Sequence, residues 1–138
     1  MKLSKDFDDS EFFCPCCGES NISPALILKL QSLRDLVGKP IHITSGYRCH
    51  SYNKRVNGVI NSPHLEGLAA DLQVEGMTTT TLAILANRIK YLRLGIYPKH
   101  LHIDIKPANP SKYWIAKKNK YIYSGKEKDL NKFLKKNL

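Results

Sequence analysis

The chain of 138 residues contains no run of about 18 apolar residues, the length that a membrane-spanning helix requires. Its first residues, 1–6, include no apolar stretch and no small-residue cleavage site, so no signal peptide is predicted. We therefore expect synthesis in the cytoplasm, and any work outside the cell would need another exit route. Internal repeats and low-complexity segments are also absent, and the length favours a single domain, 1–138.

Acidic residues are few. The chain has 12 aspartates and glutamates and 22 lysines and arginines, which gives a formal net charge of +10. Residues 112–138 carry nine lysines against Glu127 and Asp129, which places +7 of that charge in a lysine-rich C-terminal extension at about 108–138. A basic surface attracts polyanions such as nucleic acid, anionic lipid headgroups or cell-wall polymers. A solvated lysine-rich face is the alternative, and charge alone does not choose among them.

Cysteine is scarce too, and the complete set is Cys14, Cys16, Cys17 and Cys49. Without an export signal, a disulfide framework is not the default interpretation. The spacing is not that of a Cys-x2-Cys pair with a second such pair, which would be typical of structural zinc. A structural zinc site, a disulfide and unlinked thiols therefore all stay open.

Hydrophobic spacing predicts mixed helices and strands without regular βαβ alternation, so the expected class is α+β. One helix begins at Ser23-Pro24 and is ended by Gly38. A second, capped within 78–81, has apolar residues as far as Leu92, and a lysine-rich helix closes the chain. Strands are predicted at 41–45, 68–74, 94–97, 101–105, 113–116 and 121–123, which would form a small antiparallel sheet with flanking helices.

The segment 100–105, HLHIDI, is the strongest local signal for a functional site. Alternate residues of a strand share one face, so its leucine and isoleucines should point to the core. His100, His102 and Asp104 would then lie together on the other face, where they could bind a metal or transfer protons. A polar stripe that faces solvent is the alternative.

A second signal joins a loop histidine to a carboxylate in an apolar strand. His64 lies in a Pro/Gly-rich loop, and Asp71 follows it among leucines and alanines, where a carboxylate needs a cation or strong hydrogen bonds. A metal ion would satisfy it, and a helix cap or an ion pair is the alternative. With His102, the set offers two imidazoles and one carboxylate, and three protein ligands with an open fourth position are typical of catalytic zinc, which activates water.

Taken together, these segments resemble the M15 family of zinc peptidases, the D-Ala-D-Ala carboxypeptidase-like enzymes and peptidoglycan endopeptidases that include phage endolysins. The resemblance covers about 7–107 and lies in SGYRC at 45–49, YN at 52–53, VNGV at 56–59, residues 62–71 and LHID at 101–104. It implies a Hedgehog/DD-peptidase-like fold and Zn²⁺ as the cofactor. It also implies site roles: the zinc ligands would be His64, Asp71 and His102, with Arg48 binding substrate and Ser62 supporting the site.

The catalytic base is where the chain departs from this pattern. Many members place an acid three residues before the third zinc histidine, and here Lys99 occupies that position. We therefore assign Asp104 as orienting residue or base and His100 as base or transition-state stabiliser. Glu66 is the third candidate, because its loop adjoins His64.

The resemblance also implies a function, the hydrolysis of an amide bond in peptidoglycan stem peptides or cross-links by a monomeric enzyme. Anionic wall polymers would be partners of the basic C-terminus, where Trp114 and the tyrosines Tyr113, Tyr121 and Tyr123 could stack on sugars; hairpin core is the alternative for Trp114. Carboxypeptidase action at D-Ala-D-Ala, L-Ala-D-Glu cleavage and cross-link cleavage all stay open.

A phage or prophage origin would supply the exit route through a holin or a virion. Two other functions are compatible with the sequence. The first is a catalytically inactive wall-binding module on the same fold. The second is a nucleic-acid-binding protein, which we disfavour and which would show steeply salt-dependent binding.

Overall fold

A computed structural model describes residues 1–107 and 111–138. The helices of this part are α1 (Pro24–Val37), α2 (His50–Arg55), α3 (Thr79–Ala86) and α4 (Leu130–Asn137), with short 3₁₀ turns at Asp9–Phe12 and Pro63–Glu66. The strands are β1 (His42–Ser45), β2 (Ala69–Gln73), β3 (Arg93–Ile96), β4 (Leu101–Asp104), β5 (Tyr113–Lys117) and β6 (Lys120–Tyr123). No helix in the described residues is long and apolar enough to cross a membrane.

The strands form one sheet in the order β1-β2-β4-β3-β5-β6. The expected α+β class is confirmed, but the sheet is mixed, because β3 and β5 run parallel while the other neighbours are antiparallel. The hairpin from β3 to β4 reverses the chain on one side of β3. The chain then returns to the opposite edge of β3, where β5 runs in the same direction as β3.

One face of the sheet packs against the helices and forms the hydrophobic core with them. Strand alternation directs Leu72, Leu101, Ile96 and Ile115 to this side, in register across four strands. The helices cover these side chains with their own apolar stripes, including Leu26, Leu30 and Leu33 of α1 and Leu82, Ala83 and Ala86 of α3.

Of the two long predicted helices, one agrees with the sequence prediction and the other is shorter. Helix α1 begins at Pro24 and ends at Gly38 in the left-handed conformation, as predicted. Helix α3 ends at Ala86, before the end of the predicted apolar face. The residues that follow it form turns, and Tyr91 takes a positive φ of 67°. Leu92 is buried, but it lies in the entry to β3 rather than on the helix.

The basic C-terminal segment is integrated into the same sheet and core. Its strands β5 and β6 complete the sheet, and α4 buries Leu130, Phe133 and Leu134, the inward residues that the sequence predicted. The lysines of α4, Lys132, Lys135 and Lys136, are all exposed on the opposite side of this helix. The lysine-rich surface is thus supported by a well-packed apolar stripe.

Candidate metal centre and cleft

The other face of the sheet carries a row of functional side chains, set by strand register. Asp71 on β2 lies opposite His102 on β4, and His102 lies opposite Gly95 on β3. Gly95 in turn lies opposite Trp114 on β5, which lies opposite Tyr123 on β6. Residues far apart in sequence therefore meet because the strands pair in this order.

A third side chain reaches this row from the loop before β2. The 3₁₀ turn Pro63–Glu66 begins at Ser62, whose hydroxyl accepts a hydrogen bond from the His64 amide at 3.2 Å. The turn carries the His64 side chain into the protein, where it is buried. One donor atom each of His64, Asp71 and His102 then lie within 4.8 Å of one another. The structure thus brings the three predicted ligands together, and Ser62 supports them as a cap.

Hydrogen bonds fix which nitrogen each histidine presents to the cluster. Nδ1–H of His64 donates to the carbonyl oxygen of Gly46 at 2.7 Å, so Nε2 carries the free lone pair, 3.2 Å from Asp71 Oδ1. The arrangement at His102 is reversed, because Nε2 lies 2.7 Å from Asp104 Oδ2 and Nδ1 lies 3.0 Å from Asp71 Oδ1. A metal ligand with its second nitrogen held in this way is common in protein metal sites.

The electrostatics of the cluster favour a cation. Burial lowers the pKa of His64. Burial also opposes protonation of His102, but the flanking carboxylates of Asp104 and Asp71 outweigh it and raise the pKa of His102 to about 8. Burial works to raise the pKa of Asp71, yet its close contacts with the His102 and His64 imidazoles hold it well below its usual range. A buried carboxylate between two imidazoles fits a divalent metal that prefers nitrogen and oxygen ligands, such as zinc.

Asp104 is placed to orient His102. Its carboxylate is fully buried and accepts two hydrogen bonds from Nη1 of Arg93, at 3.1 and 3.0 Å, and one from the Lys106 amide at 3.1 Å. Of the two roles predicted for Asp104, these fixed contacts favour orientation over proton transfer. Arg93 was missed in the sequence, because only the pairing of β3 with β4 shows that it lies opposite Asp104.

Arg48, predicted to bind substrate, lines the cleft and holds Asp71 from the other side. Its Nη2 donates to Asp71 Oδ2 at 3.1 Å, and its Nε donates to Ser45 Oγ at 3.0 Å. Asn53, a buried residue of α2, accepts from Nη1 at 3.3 Å. The guanidinium is therefore fixed in orientation beside the predicted ligands.

The candidates for the catalytic base separate clearly in the structure. His100 lines the cleft, stacks on the Tyr97 ring at 4.4 Å between centroids, and has Nε2 3.9 Å from Asp71 Oδ2. Burial lowers the pKa of His100. Glu66 instead forms an ion pair with Lys106 at 3.0 Å and does not belong to the described lining of the cleft. His100 is thus the candidate with an imidazole facing the cleft beside the cluster.

The cluster lies in a cleft of about 450 Å³. One wall is aromatic: Trp114 donates from Nε1 to the Tyr97 hydroxyl at 3.2 Å, and Tyr121 and Tyr123 lie exposed beyond it. Trp114 is 7% exposed, so it is both a packed residue of the hairpin and part of the cleft wall. The prediction that Tyr113 stacks on sugars is wrong, because its side chain is buried in the core beside Phe133.

Gly95 lets this wall approach the cluster, and its replacement provides a test. A Cβ at Gly95 would collide with the Trp114 ring, so we expect Gly95→Ala to destabilise the fold by about 1–3 kcal/mol and to displace the indole. Trp114 is the single tryptophan, so its fluorescence reports the displacement directly during urea unfolding. The control Gly76→Ala is itself strained by a φ of 76°, but its nearest atom is flexible Lys39 Nζ at 3.5 Å, so it can lower stability without changing the folded-state emission. Unchanged emission in Gly95→Ala would contradict this packing.

Two imidazoles and a carboxylate beneath an open cleft define the class of mononuclear metal sites that leave room for substrate. The chain belongs to the Peptidase M15 family, whose model matches residues 5–106. It is similar to the peptidoglycan L,D-endopeptidase MepK of Escherichia coli K12, with 33% identity over 103 residues, 68% of this chain and 55% of MepK. It is also similar to the zinc D-Ala-D-Ala carboxypeptidase of Streptomyces albus G, with 34% identity over 91 residues, 64% of this chain and 36% of that protein.

The chain spans about half the length of MepK and about a third of the carboxypeptidase. The family match ends at residue 106, so β5, β6 and α4 lie beyond it. The aromatic wall built by Trp114, Tyr121 and Tyr123 therefore belongs to the segment outside the match, although it borders the same cleft.

Proposed function

We propose that this protein is a zinc-dependent peptidase that hydrolyses an amide bond in peptidoglycan stem peptides or cross-links. The observation that carries the proposal is the convergence of His64, Asp71 and His102 at the base of an open cleft. Family membership and the names of the two relatives, one acting on peptidoglycan and one on D-Ala-D-Ala, support the substrate class. Which bond is cut distinguishes carboxypeptidase from endopeptidase action and is left to the test.

Zinc would be held by His64 Nε2, a carboxylate oxygen of Asp71 and His102 Nδ1. When bound, it would act as a Lewis acid and activate water near neutral pH. The remaining roles follow from the contacts of the chain's own side chains. Asp104, fixed by Arg93, keeps the hydrogen of His102 on Nε2 and so directs Nδ1 into the cluster. This is the support that a ligand needs to hold one orientation during the reaction.

Arg48 and His100 border the position where a scissile carbonyl would lie. Arg48 holds Asp71 in place. Its fixed guanidinium can also donate hydrogen bonds to a carboxylate of the substrate, the role that the family resemblance implies. His100 is 30% exposed in its side chain, makes its closest ring contact with Tyr97, and has a lowered pKa from burial. We assign it the transfer of a proton to or from the reacting groups.

The aromatic wall and the basic surface extend the proposal to the polymer. Exposed Tyr121 and Tyr123 can stack on a sugar or a peptide at the mouth of the cleft. Lysines of α4 would attract the anionic polymers of the wall. A phage or prophage origin, with delivery by a holin or a virion, stays a prediction from the resemblance, and lysis on co-expression with a holin would test it.

The test of this function is release of soluble fragments from purified, dye-labelled cell walls. The zinc-loaded protein should release dye, a chelator should stop the release, and added zinc should restore it. Binding to the walls without release, in the zinc-loaded protein, would instead favour the inactive wall-binding module. Binding that occurs only to DNA, and falls steeply with salt, would favour the nucleic-acid alternative.

A further inference from the structure

A second cluster of metal-binding side chains lies outside the cleft. The Sγ atoms of Cys14, Cys17 and Cys49 all lie within 4.8 Å of one another. Cys14 is buried, Cys49 is half-buried and Cys17 is exposed, and all are free thiols. Cys14 and Cys17 are separated by two residues, so the fold completes a Cys-x2-Cys pair with a cysteine from a distant loop.

The segment around Cys14 is shaped as a tight turn with amide hydrogens directed at sulfur. Gly18 donates to the Cys14 carbonyl at 2.8 Å and has a φ of 75°, which favours glycine there. The Cys49 amide donates to Cys14 Sγ at 3.5 Å. The amides of Cys16 and Cys17 are also directed at Cys14 Sγ. Such a turn stabilises a thiolate, the form that binds metal.

The spacing of the sulfurs matches a metal site better than a disulfide. Cys14 Sγ and Cys49 Sγ are 3.7 Å apart. Two thiolates bound to one zinc ion at about 2.3 Å in tetrahedral geometry are separated by about 3.8 Å, whereas a disulfide requires about 2.05 Å. A disulfide between any two would also leave the third thiol beside it without a covalent partner. Three converging sulfurs are the beginning of a tetrahedral site.

Cys16 and Arg55 complete the surroundings. The Cys16 thiol hydrogen-bonds with that of Cys49, and Arg55 Nη2 lies 3.8 Å from Cys16 Sγ. Cys16 does not belong to the group of three mutually close sulfurs, but its contact with Cys49 makes it the candidate for the fourth. A guanidinium beside the cluster offsets the negative charge that four thiolates around one divalent ion would carry.

We propose that Cys14, Cys17 and Cys49, with Cys16 as the fourth thiolate, bind a second zinc ion that is structural. The ion ties the N-terminal segment to the loop that presents Arg48, because Cys49 follows Arg48 directly and begins α2. The same two segments already meet where the Tyr47 amide donates to the Phe12 carbonyl at 3.1 Å. Closing a loop of 35 residues through a metal restricts the unfolded chain, so the ion would stabilise this junction.

Zinc stoichiometry tests this proposal separately from the peptidase function. The full chain, purified under reducing conditions without chelator, should contain two zinc ions by elemental analysis. Cys14→Ser and Cys49→Ser should each lose one ion and retain the one in the cleft, whereas His64→Ala should lose one ion and retain the thiolate site. One zinc ion in the wild type, with the same content in Cys49→Ser, would overturn the proposal whether or not the protein cleaves walls.

Cobalt and thiol measurements keep the test valid if a cysteine variant fails to fold. The cobalt-substituted wild type and its His64→Ala variant should both show thiolate-to-cobalt charge-transfer absorption.

Four thiols should react with a thiol reagent after zinc removal, and they should be protected when zinc is present. Fewer than four reactive thiols in the denatured, unreduced protein would reveal a disulfide and overturn the proposal. Cys16→Ser should release the structural zinc at a lower chelator concentration, and unchanged release would overturn the four-thiolate site.

Discussion

Replacing His64 with alanine should remove one equivalent of zinc and lower wall hydrolysis by at least about 10³-fold. His64 offers Nε2 to the cluster because Nδ1–H is held by the Gly46 carbonyl, so truncation removes one of the three predicted ligand atoms. Asp71 and His102 would be left as the only two protein ligands of the set. The loss should appear in kcat, because the metal chemistry itself is removed.

A matched control separates this effect from the general loss of a histidine. His50 is exposed at the start of α2 and does not belong to the described lining of the cleft. His50→Ala should keep both zinc content and hydrolysis. Circular dichroism should show His64→Ala to be folded. Full zinc content together with full activity in His64→Ala would contradict the assignment of the metal site.

Replacing His100 with alanine should leave the zinc content unchanged but lower kcat by about 10²–10⁴-fold. The side chain lines the cleft beside Asp71, yet its Nε2 is 3.9 Å from that carboxylate, outside the range of a firm hydrogen bond. Its removal therefore leaves the three predicted ligands in contact. It takes away the one cleft-lining imidazole of the described residues that is not a predicted ligand. The stacked Tyr97 ring keeps the wall in place.

The corresponding result distinguishes His100 from the other base candidates. Glu66→Gln breaks the ion pair with Lys106 and should change hydrolysis less than about threefold, in keeping with the small contribution of a partly exposed pair. If Glu66→Gln loses activity while His100→Ala retains it, the assignment of the proton-transfer role to His100 is wrong. Zinc content should be measured on the same samples, and we expect it to be unchanged in both variants.

Strand alternation predicts the strand residues of the site, whereas His64 lies in a loop and the roles of Arg48 and Ser62 follow only from the family resemblance. The pattern HLHIDI placed His102 and Asp104 on one face of β4, and the apolar setting of Asp71 indicated a buried carboxylate that needs a partner. Residues 113–116 and 121–123 were likewise predicted as a hairpin, within one residue of β5 and β6. These features are local, because a period of two in one strand decides which side chains share a face.

The features that were missed depend on which strands are neighbours. Arg93 supports Asp104 only because β3 pairs with β4, and Trp114 reaches the cleft only because β5 lies parallel to β3 beside Gly95. Nothing in the local sequence around these residues encodes that order. The state of the cysteines stays open in the sequence for the same reason, since Cys49 joins Cys14 and Cys17 only through the meeting of two distant segments.

The most direct test of the central claim is mass spectrometry of muropeptides after digestion by the zinc-loaded protein. The account predicts new products in which one amide bond has gained a water molecule, absent when a chelator or the His64→Ala variant is used. Loss of a terminal D-alanine would identify carboxypeptidase action, and split stem peptides or cross-links would identify endopeptidase action. A muropeptide profile unchanged by the zinc-loaded protein would contradict the account.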